Sequence, residues 1–345
     1  MSRARRTPRQ ADIARVAGVS QATVSVVLGG NRTGVRLSER TRLRVLEAAE
    51  RLGYVPDPVA TRLASARNNL LGVYTFTPAF PIDVADSYYP ILAGIEAEAA
   101  ALGQDLIMFT GSSGVPDHTR IRRTRLADGC LFLGRHVPVD AVGELLASGF
   151  PIVYIGRRTE LDGTIPYVGG DYVSASAEVV ARLVGAGHRH LRYLREPDEA
   201  PSSDDRERGV RTAAADAGLP VADLVVRTDG TDLTAATLAA WRAEGVTALV
   251  VEETDTGAVF HATQQALRAA GISVPDDVSL AVLGRPPGDP PGPEISGFEV
   301  PRREMGQAAV RLLASLLDPG LGDPAAHRLL TCPPVAGATI SGVRR

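Results

Sequence analysis

The stretch DIARVAGVSQATVSVVL, residues 12–28, decides the fold of the first part of the chain. Its apolar residues recur at helical spacing on either side of Gly18, which can end one helix, and Ser20, which can cap the next. Ala14 lets the two helices approach closely, and Val19 fills the gap beneath the turn. We therefore predict two helices that meet at a steep angle through a tight turn.

A third helix completes this domain. Thr7-Pro8-Arg9-Gln10 has the form of a capping box, which predicts that the first helix begins there. Ser38 can cap the third helix and Gly53 can end it. Its apolar face is predicted to carry Leu43, Val45, Leu46, Ala49 and Leu52. Residues 7–53 are accordingly interpreted as three short helices.

The second helix presents small and polar residues on the side away from the core. Val24 and Val27 face inward, and the outward positions near the helix start are Gln21, Ala22, Ser25 and Val26. A glutamine amide suits an adenine edge, and a small apolar side chain suits a thymine methyl group. Hydroxyls and free amides suit phosphates, which adds Ser20 and Thr23. We predict a helix that enters the major groove of DNA, although a three-helix domain without a role in DNA binding would show similar spacing.

The charge is distributed unevenly along the chain. Residues 1–67 carry 13 Arg against 5 Asp or Glu, a balance of +8, whereas the remainder carries 24 Arg against 35 acids, a balance of −11. A basic head on an acidic body suits a polyanion at one end only. A solvated basic tail is the alternative interpretation of the charge alone.

From Leu70 onward, short apolar runs alternate with amphipathic helices. The predicted strands are 71–76, 104–109, 129–133, 151–155, 191–194, 248–251 and 278–283, and the helices between them include 89–102, 174–187, 205–217 and 258–270. This alternation predicts an α/β fold of parallel sheets with helices on both faces. Roughly ten strands indicate two lobes rather than one sheet.

Cysteine content and hydropathy bear on the compartment. Two cysteines, Cys130 and Cys332, cannot build a disulfide framework, which indicates reducing cytosol. The basic start is followed by no apolar signal region, and no apolar stretch reaches the roughly 18 residues needed to span a bilayer. We expect a cytoplasmic protein with no membrane partner.

Three segments together resemble the lactose/galactose-repressor family of bacterial transcription regulators. They are the helical stretch quoted above, LGYVPDPVATRLA at 52–64 and NLLGV at 69–73. The resemblance implies a helix-turn-helix head, a hinge helix and a two-lobed body like that of periplasmic binding proteins. It gives the head as 1–55, the hinge and linker as 56–68, the first lobe as 69–165 and 293–327, and the second lobe as 166–292 and 328–345.

Family roles for individual DNA contacts follow from the same resemblance. Leu63, with Ala64 beside it, matches the hinge residue that wedges into the minor groove, although an ordinary packing role is the alternative. Tyr54 matches a phosphate contact. Val26 stands where the family often has an arginine, which predicts an atypical operator. The loop Asn31–Arg36 is expected to add backbone contacts.

The body resembles a sensor with its ligand between the lobes. Landmarks include Gly94-Ile95-Glu96, Arg206-Glu207-Arg208-Gly209 and Glu304-Met305-Gly306. Arg206 aligns with an effector-binding arginine and Asp255 with the acidic start of a cleft helix, while Tyr88 and Tyr89 fall where rings stack on the ligand. A solvated arginine, a helix cap and core tyrosines are the alternative interpretations.

Two carboxylates that would grip sugar hydroxyls are absent at their expected positions. Gly156 and Gly284 occupy those positions, and each is followed by an arginine, Arg157 or Arg285. Convergence of these two arginines with Arg206 predicts an acidic or phosphorylated effector rather than an ordinary hexose. Decay of the effector site would leave the same pattern.

These observations predict a ligand-responsive repressor that binds a near-palindromic operator as a homodimer. The effector is expected to be a sugar, a sugar phosphate or another polar metabolite. The alternative is a two-lobed small-molecule-binding protein whose effector site is altered or lost. No catalytic constellation, cofactor motif or metal-ligand spacing is evident in the sequence, so we do not expect an enzyme.

Overall fold

The structure is a computed structural model that describes most of the chain. The described residues are 8–28, 37–54, 67–76, 85–110, 117–134, 137–254, 257–286, 288, 292–318, 320 and 325–343. The chain divides into two compact units, Met1–Asn68 and Asn69–Arg345. A helical first unit and a second unit built on parallel sheets confirm the predicted α/β architecture.

The first unit contains three helices. They are α1 (Gln10–Ala17), α2 (Gln21–Leu28) and α3 (Glu39–Leu52), and their core consists of Ile13, Ala17, Val24, Val45, Ala48 and Ala49. Leu43 and Leu46, which we assigned to the apolar face of α3, are instead exposed. Since Val45, Ala48 and Ala49 repeat at helical spacing, those two leucines fall on neighbouring stripes of the helix.

The ends of these helices match the sequence signals in part. The hydroxyl of Ser20 accepts from the Thr23 amide at 3.1 Å, and the hydroxyl of Ser38 caps α3 in the same way. The capping box predicted at residues 7–10 is wrong, because α1 begins at Gln10 and the Arg9 amide donates to Asp12 at 3.0 Å. Aspartate at this position also suits the positive end of the helix dipole.

One parallel sheet organises the first lobe of the body. Its strands are β1 (Leu70–Thr75), β2 (Asp105–Phe109), β3 (Gly129–Leu133), β4 (Ile152–Ile155), β5 (Tyr167–Gly170) and β11 (His327–Leu330), in the order β11-β5-β4-β3-β1-β2. The associated helices are α4 (Ala85–Ala101), α5 (Asp117–Ile121), α6 (Val139–Ala147) and α11 (Arg302–Leu317), with 3₁₀ turns at Arg122–Leu126 and Leu161–Gly163.

A second sheet organises the other lobe. Its strands are β6 (Leu191–Arg195), β7 (Val225–Arg227), β8 (Ala248–Glu252), β9 (Ser279–Leu283), β10 (Ser296–Phe298) and β12 (Pro334–Val335), in the order β12-β10-β9-β8-β6-β7. Only β12 among these described strands runs antiparallel to its neighbour. The helices are α7 (Tyr172–Gly185), α8 (Pro201–Asp216), α9 (Ala235–Ala243) and α10 (Ala258–Ala269).

The chain passes between the two sheets three times. It leaves the first sheet after Gly170, returns after Phe298 and leaves again after Leu330. Each passage lies a few residues beyond the position expected near 165, 293 or 328. Strand β5 therefore belongs to the first sheet, because it pairs with β4 and β11, whereas the boundary at residue 165 assigned it to the second lobe.

Two glycines let α4 and α11 pack at backbone distance. A Cβ atom at Gly94 would overlap the Arg303 carbonyl, and a Cβ atom at Gly306 would overlap the Ile91 carbonyl. These glycines belong to the landmarks GIE and EMG of the sequence, so those landmarks mark a helix–helix contact. The contact holds the start of α11, and with it Arg302, against the first lobe.

In the described part of the chain no single helix is long and apolar enough to cross a bilayer, and α1 and α2 meet that test only as a pair bent by 107°.

Candidate DNA-reading helix and ligand cavity

The start of α2 forms a polar surface on the first unit. Gln21, Ala22 and Ser25 are exposed, whereas Thr23 and Val26 are half-buried. Three of the residues predicted to contact DNA thus lie on the open face of the helix. The hydroxyls of Ser20 and Thr23 lie 2.9 Å apart and are occupied in the cap, so their surface role is secondary to a structural one.

The angle between α1 and α2 is fixed at their junction. The helices meet at 107°, and Gly18 adopts the left-handed conformation (φ +63°) that the turn requires. Arg44 of α3 donates to the carbonyl of Ala17 and, at 3.2 Å, to that of Gly18. A cation at these carbonyls satisfies the end of α1 and complements its dipole. The role of Arg44 was not evident from the sequence.

The remaining predicted DNA contacts are only partly within the described residues. Tyr54 is half-buried and packs against the core of the three helices, and its amide donates to the Ala49 carbonyl at 2.9 Å. Asn31, Leu63 and Ala64 lie outside the described residues.

A cavity of about 160 Å³ opens in the body at the carboxyl ends of the strands. It is lined by residues that follow β3 and β4 of the first sheet, by the end of β8 of the second sheet, and by the starts of α8 and α11. This is where ligands bind in open parallel sheets. Four arginines and two glutamates contribute to the lining, namely Arg157, Arg158, Arg206, Arg302, Glu252 and Glu253.

Arg206 forms the buried floor of this cavity. Its side chain is 5% exposed, and its Nε donates to the Leu283 carbonyl at 2.9 Å. The guanidinium lies 4.1 Å from the centre of the Tyr172 ring and 3.8 Å from a carboxylate oxygen of each of Glu252 and Glu253. Such a buried cation is tolerated because carbonyls, carboxylates and a π-face surround it. It is not the solvated arginine that was considered as an alternative.

Glu253 takes the place of one of the two carboxylates expected at positions 156 and 284, and Glu252 lies beside it. Gly284 has a φ of +132°, and a Cβ atom there would lie 2.6 Å from the Glu253 Cβ and closer still to its carboxylate. The Glu253 side chain therefore fills the space that an aspartate at 284 would use. Glu252 accepts from the Tyr193 hydroxyl at 3.2 Å and from the Ser203 hydroxyl at 2.5 Å. Burial raises the pKa of the Glu252 carboxyl, and the charge of Arg206 limits the rise.

Two ion pairs link the lobes across the cavity. Arg157 follows β4 of the first sheet, and its Nε lies 2.5 Å from Oδ2 of Asp205 on α8 of the second lobe. Arg302 begins α11, and its Nη2 lies 2.9 Å from Oε2 of Glu253. All four side chains are at most 18% exposed, so solvent screens the attraction within both pairs only weakly.

The predicted effector residues divide into two groups. Tyr88, Arg157 and Arg206 line the cavity. Tyr89 is 67% exposed and does not, and Asp255 lies outside the described residues. Arg285 is exposed and lines a separate cavity beside β10. The predicted convergence of three arginines is therefore wrong for Arg285, because the chain turns at Gly284 and carries the next side chain away.

Sequence reasoning missed Tyr172, Glu252, Glu253 and Arg302. A signal for the glutamates was present, since Glu252 and Glu253 follow an apolar run and the carboxyl end of a parallel strand is where ligands meet the sheet. No comparable signal marked Tyr172 or Arg302, which reach the cavity through the packing of α7 and α11.

Comparison with known sequence families assigns both units. Residues 11–57 match the profile described as bacterial regulatory proteins, lacI family, and residues 180–340 match a periplasmic binding protein-like domain. The chain thus carries a lacI-family DNA-binding domain followed by a periplasmic binding protein-like domain, the pair of domains that the lactose/galactose-repressor resemblance implies. This confirms the resemblance, and with it a ligand-responsive, DNA-binding transcription regulator.

Relatives within the family align over nearly the whole chain. Catabolite control protein A of Priestia megaterium is 29% identical over 328 residues, 89% of this chain and 92% of the relative. The HTH-type transcriptional regulator CelR of Thermobifida fusca is 28% identical over 323 residues, 90% of this chain and 92% of the relative. The first is named as a control protein and the second as a transcriptional regulator.

Solved structures agree in fold. A lac repressor dimer bound to operator and the anti-inducer ONPF has a TM-score of 0.72 at 22% identity, covering 97% of this chain and 100% of that one. A CelR–cellobiose complex has a TM-score of 0.60 at 25% identity, covering 96% of this chain and 99% of that one. The head-and-two-lobe arrangement of elements is shared across these regulators.

The overlap between Gly284 and Glu253 gives a testable prediction. We expect Gly284→Asp to lower stability by about 1–3 kcal/mol more than Gly292→Asp, because overpacking adds to backbone strain. Gly292 is the matched control, since its φ is +126° and nothing lies within 4 Å of a Cβ there. Urea midpoints of the purified variants measure the difference. Adding Glu253→Gly to Gly284→Asp should recover part of the loss; equal losses for the two aspartate variants would contradict the overlap.

Proposed function

We propose that the protein represses transcription as a homodimer bound to a near-palindromic operator. The observation that carries this proposal is the open face of α2, where Gln21, Ala22 and Ser25 project from a helix held at 107° to α1. A helix presented in this way fits the major groove, and a two-fold dimer places two such helices about 34 Å apart on the duplex. A DNA-bound regulator of this kind acts in the cytoplasm.

Family relatives support the proposal without fixing its details. One solved structure of similar fold is a lac repressor dimer bound to its operator, and the sequence at 52–64 of this chain resembles the hinge of that family. We therefore assign Leu63 and Ala64 to the minor groove, Tyr54 and Asn31 to the phosphate backbone, and Val26 to the edge of the reading surface. Valine lacks the donors that read guanine, so the operator should differ from common family operators at that base pair.

The effector that we propose is a small hydroxylated molecule that carries an anionic group. Glu252 and Glu253 can accept hydrogen bonds from its hydroxyls, and the cavity arginines outnumber these two carboxylates. The start of α8 adds to the positive potential, since its N-cap residue Ala200 has no capping side chain and Ser202 lines the cavity. Because Glu252 and Glu253 line the cavity, the absence of carboxylates at positions 156 and 284 no longer argues against a sugar framework. The four arginines that line the cavity still favour an acid or phosphate on that framework, because an anion can take the place of a carboxylate such as Asp205 that now pairs with one of them.

Ligand and DNA binding are coupled through the lobes in this proposal. An anion that engages Arg157 competes with Asp205, which lies on the opposite lobe. The ligand thereby replaces the Arg157–Asp205 ion pair with its own contacts to Arg157. This changes the relative stability of the possible arrangements of the two lobes. Any shift that changes the affinity for the operator changes the affinity for the effector by the same factor.

The operator proposal is tested by selecting duplexes from a random pool with the full-length protein. We expect enrichment of a near-palindrome with two half-sites and a flexible pyrimidine–purine step at its centre, because a wedge at the centre needs an easily unstacked step. A pool that remains random after repeated rounds, with binding that depends on salt alone, would contradict sequence-specific recognition.

The effector proposal is tested by calorimetry with glucose, gluconate and glucose 6-phosphate. We expect one of the anionic compounds to bind at least roughly tenfold more tightly than glucose, since a charge-assisted bond to arginine is worth about 1.5–3 kcal/mol. Arg157→Gln should remove that preference. Asp205→Asn should instead increase it, because the same guanidinium is released from its partner. Tight binding of plain glucose with no gain for either anion would contradict the proposal.

A further inference from the structure

An arginine-rich turn stands out on the otherwise acidic body. The sequence HTRIRRTRL, residues 118–126, places four arginines within six residues, whereas the chain beyond residue 67 has a balance of −11. Helix α5 and the 3₁₀ turn that follows it carry this segment. Arg122, Arg123 and Arg125 are all exposed. We call these three side chains the arginine turn.

The fold places this turn beside the point where the chain enters the body. The segment runs directly into β3, so it lies at the edge of the sheet where the strands begin, opposite the ligand cavity. The Asp128 amide donates to the Leu70 carbonyl at 2.8 Å, and the Leu70 amide donates to Oδ2 of Asp128 at 3.4 Å. Leu70 is the first residue of β1 and lies two residues after the hinge and linker segment, 56–68. These two bonds tie the base of the turn to the start of β1.

Among the described residues, acids balance the charges of the turn only in part. Arg122 lies 3.3 Å from Glu144, but both side chains are more than 60% exposed, and such a pair is weak. Arg125 donates to the Ser148 hydroxyl and lies 5.7 Å from the centre of the Phe150 ring, neither of which carries a charge. Within the described residues Arg123 has no partner. Among the described side chains, one acid therefore faces three guanidinium groups.

Chain length brings duplex DNA within reach of this surface. A fully extended chain covers at most about 3.5 Å per residue, so the six residue steps from Ala64 to Leu70 span at most roughly 20 Å. If the hinge occupies the minor groove, as in the proposed function on which this step rests, the phosphates that flank Ala64 lie within about that span of Leu70. Guanidinium groups match phosphates in charge and geometry. No base edge is needed for such contacts.

We infer that the arginine turn is a second DNA-contact surface. Arg122, Arg123 and Arg125 bind backbone phosphates of the operator duplex and add affinity that is independent of base sequence. The head and hinge select the operator sequence, and the arginine turn of the body increases the affinity for it. An acidic protein would suit the same charges, but the tie to Leu70 favours the DNA that the adjoining hinge binds.

The test compares salt dependence of operator binding for full-length proteins. The variant carries Arg122→Gln, Arg123→Gln and Arg125→Gln. The matched control carries Arg189→Gln, Arg242→Gln and Arg268→Gln, which remove the same charge from exposed positions of the second lobe. The operator comes from the selection described above. Association constants are measured across a series of salt concentrations, and circular dichroism establishes that each variant is folded.

We expect the slope of log K against log salt to fall by roughly 0.9 for each lost phosphate contact, hence by about 2–3 in the variant. Affinity near 0.1 M salt should fall at least roughly tenfold, with the ranking of operator sequences unchanged. The control should keep the wild-type slope. The single variant Arg123→Gln, whose side chain has no polar partner among the described residues, should lose about one unit of slope even if the triple variant folds poorly.

Equal slopes for wild type, variant and control would overturn the inference while leaving operator recognition intact. Equal reductions in variant and control would also overturn it, since they would reflect net charge rather than a local contact. Failure of the wild-type protein to bind any duplex would instead remove the proposed function, and the inference with it.

Discussion

A single buried guanidinium organises the ligand cavity. Arg206 cannot be removed from water at acceptable cost unless its charge and its donors are all matched. The Leu283 carbonyl, the Ser202 carbonyl at 3.3 Å, the Tyr172 ring and the two glutamates supply that match. These partners come from α7, α8, β8 and β9, so one side chain fixes how four elements converge. The same requirement explains why Glu252 and Glu253 both point inward from the end of β8.

The sequence predicts elements best where one local rule decides them. Strands such as β3 and β8 are buried along their whole length, and their apolar runs give bounds within a residue or two. The three-residue strand β10 and the two-residue β12 lack such runs, and only their pairing defines them. The residue Arg206 follows from the family resemblance. The position of Glu253 in the cavity does not follow from it. The glycine at 284 shows that a carboxylate is missing there, but it does not show which neighbouring side chain occupies the space.

The two lobes are joined by ion pairs as well as by the three crossings of the chain. The pairs Arg157–Asp205 and Arg302–Glu253 both cross the cavity, and both are largely shielded from solvent. Weak screening makes each pair strong and makes its disruption costly. A ligand that satisfies one partner of a pair releases the other, so binding energy is converted into a change in how the lobes are held. Close packing of α4 on α11 at Gly94 and Gly306 keeps Arg302 moving with the first lobe.

Coupling between the cavity and the DNA-reading head is the central claim, and it can be measured without knowing the effector. The most direct measurement is the operator affinity of Arg157→Gln and of Asp205→Asn, each compared with wild type at one salt concentration. Since both break the same cross-lobe pair, the account predicts shifts in the same direction and of at least roughly fivefold, within the usual 1–3 kcal/mol range of allosteric coupling. Operator affinities that equal the wild type in both variants would contradict it.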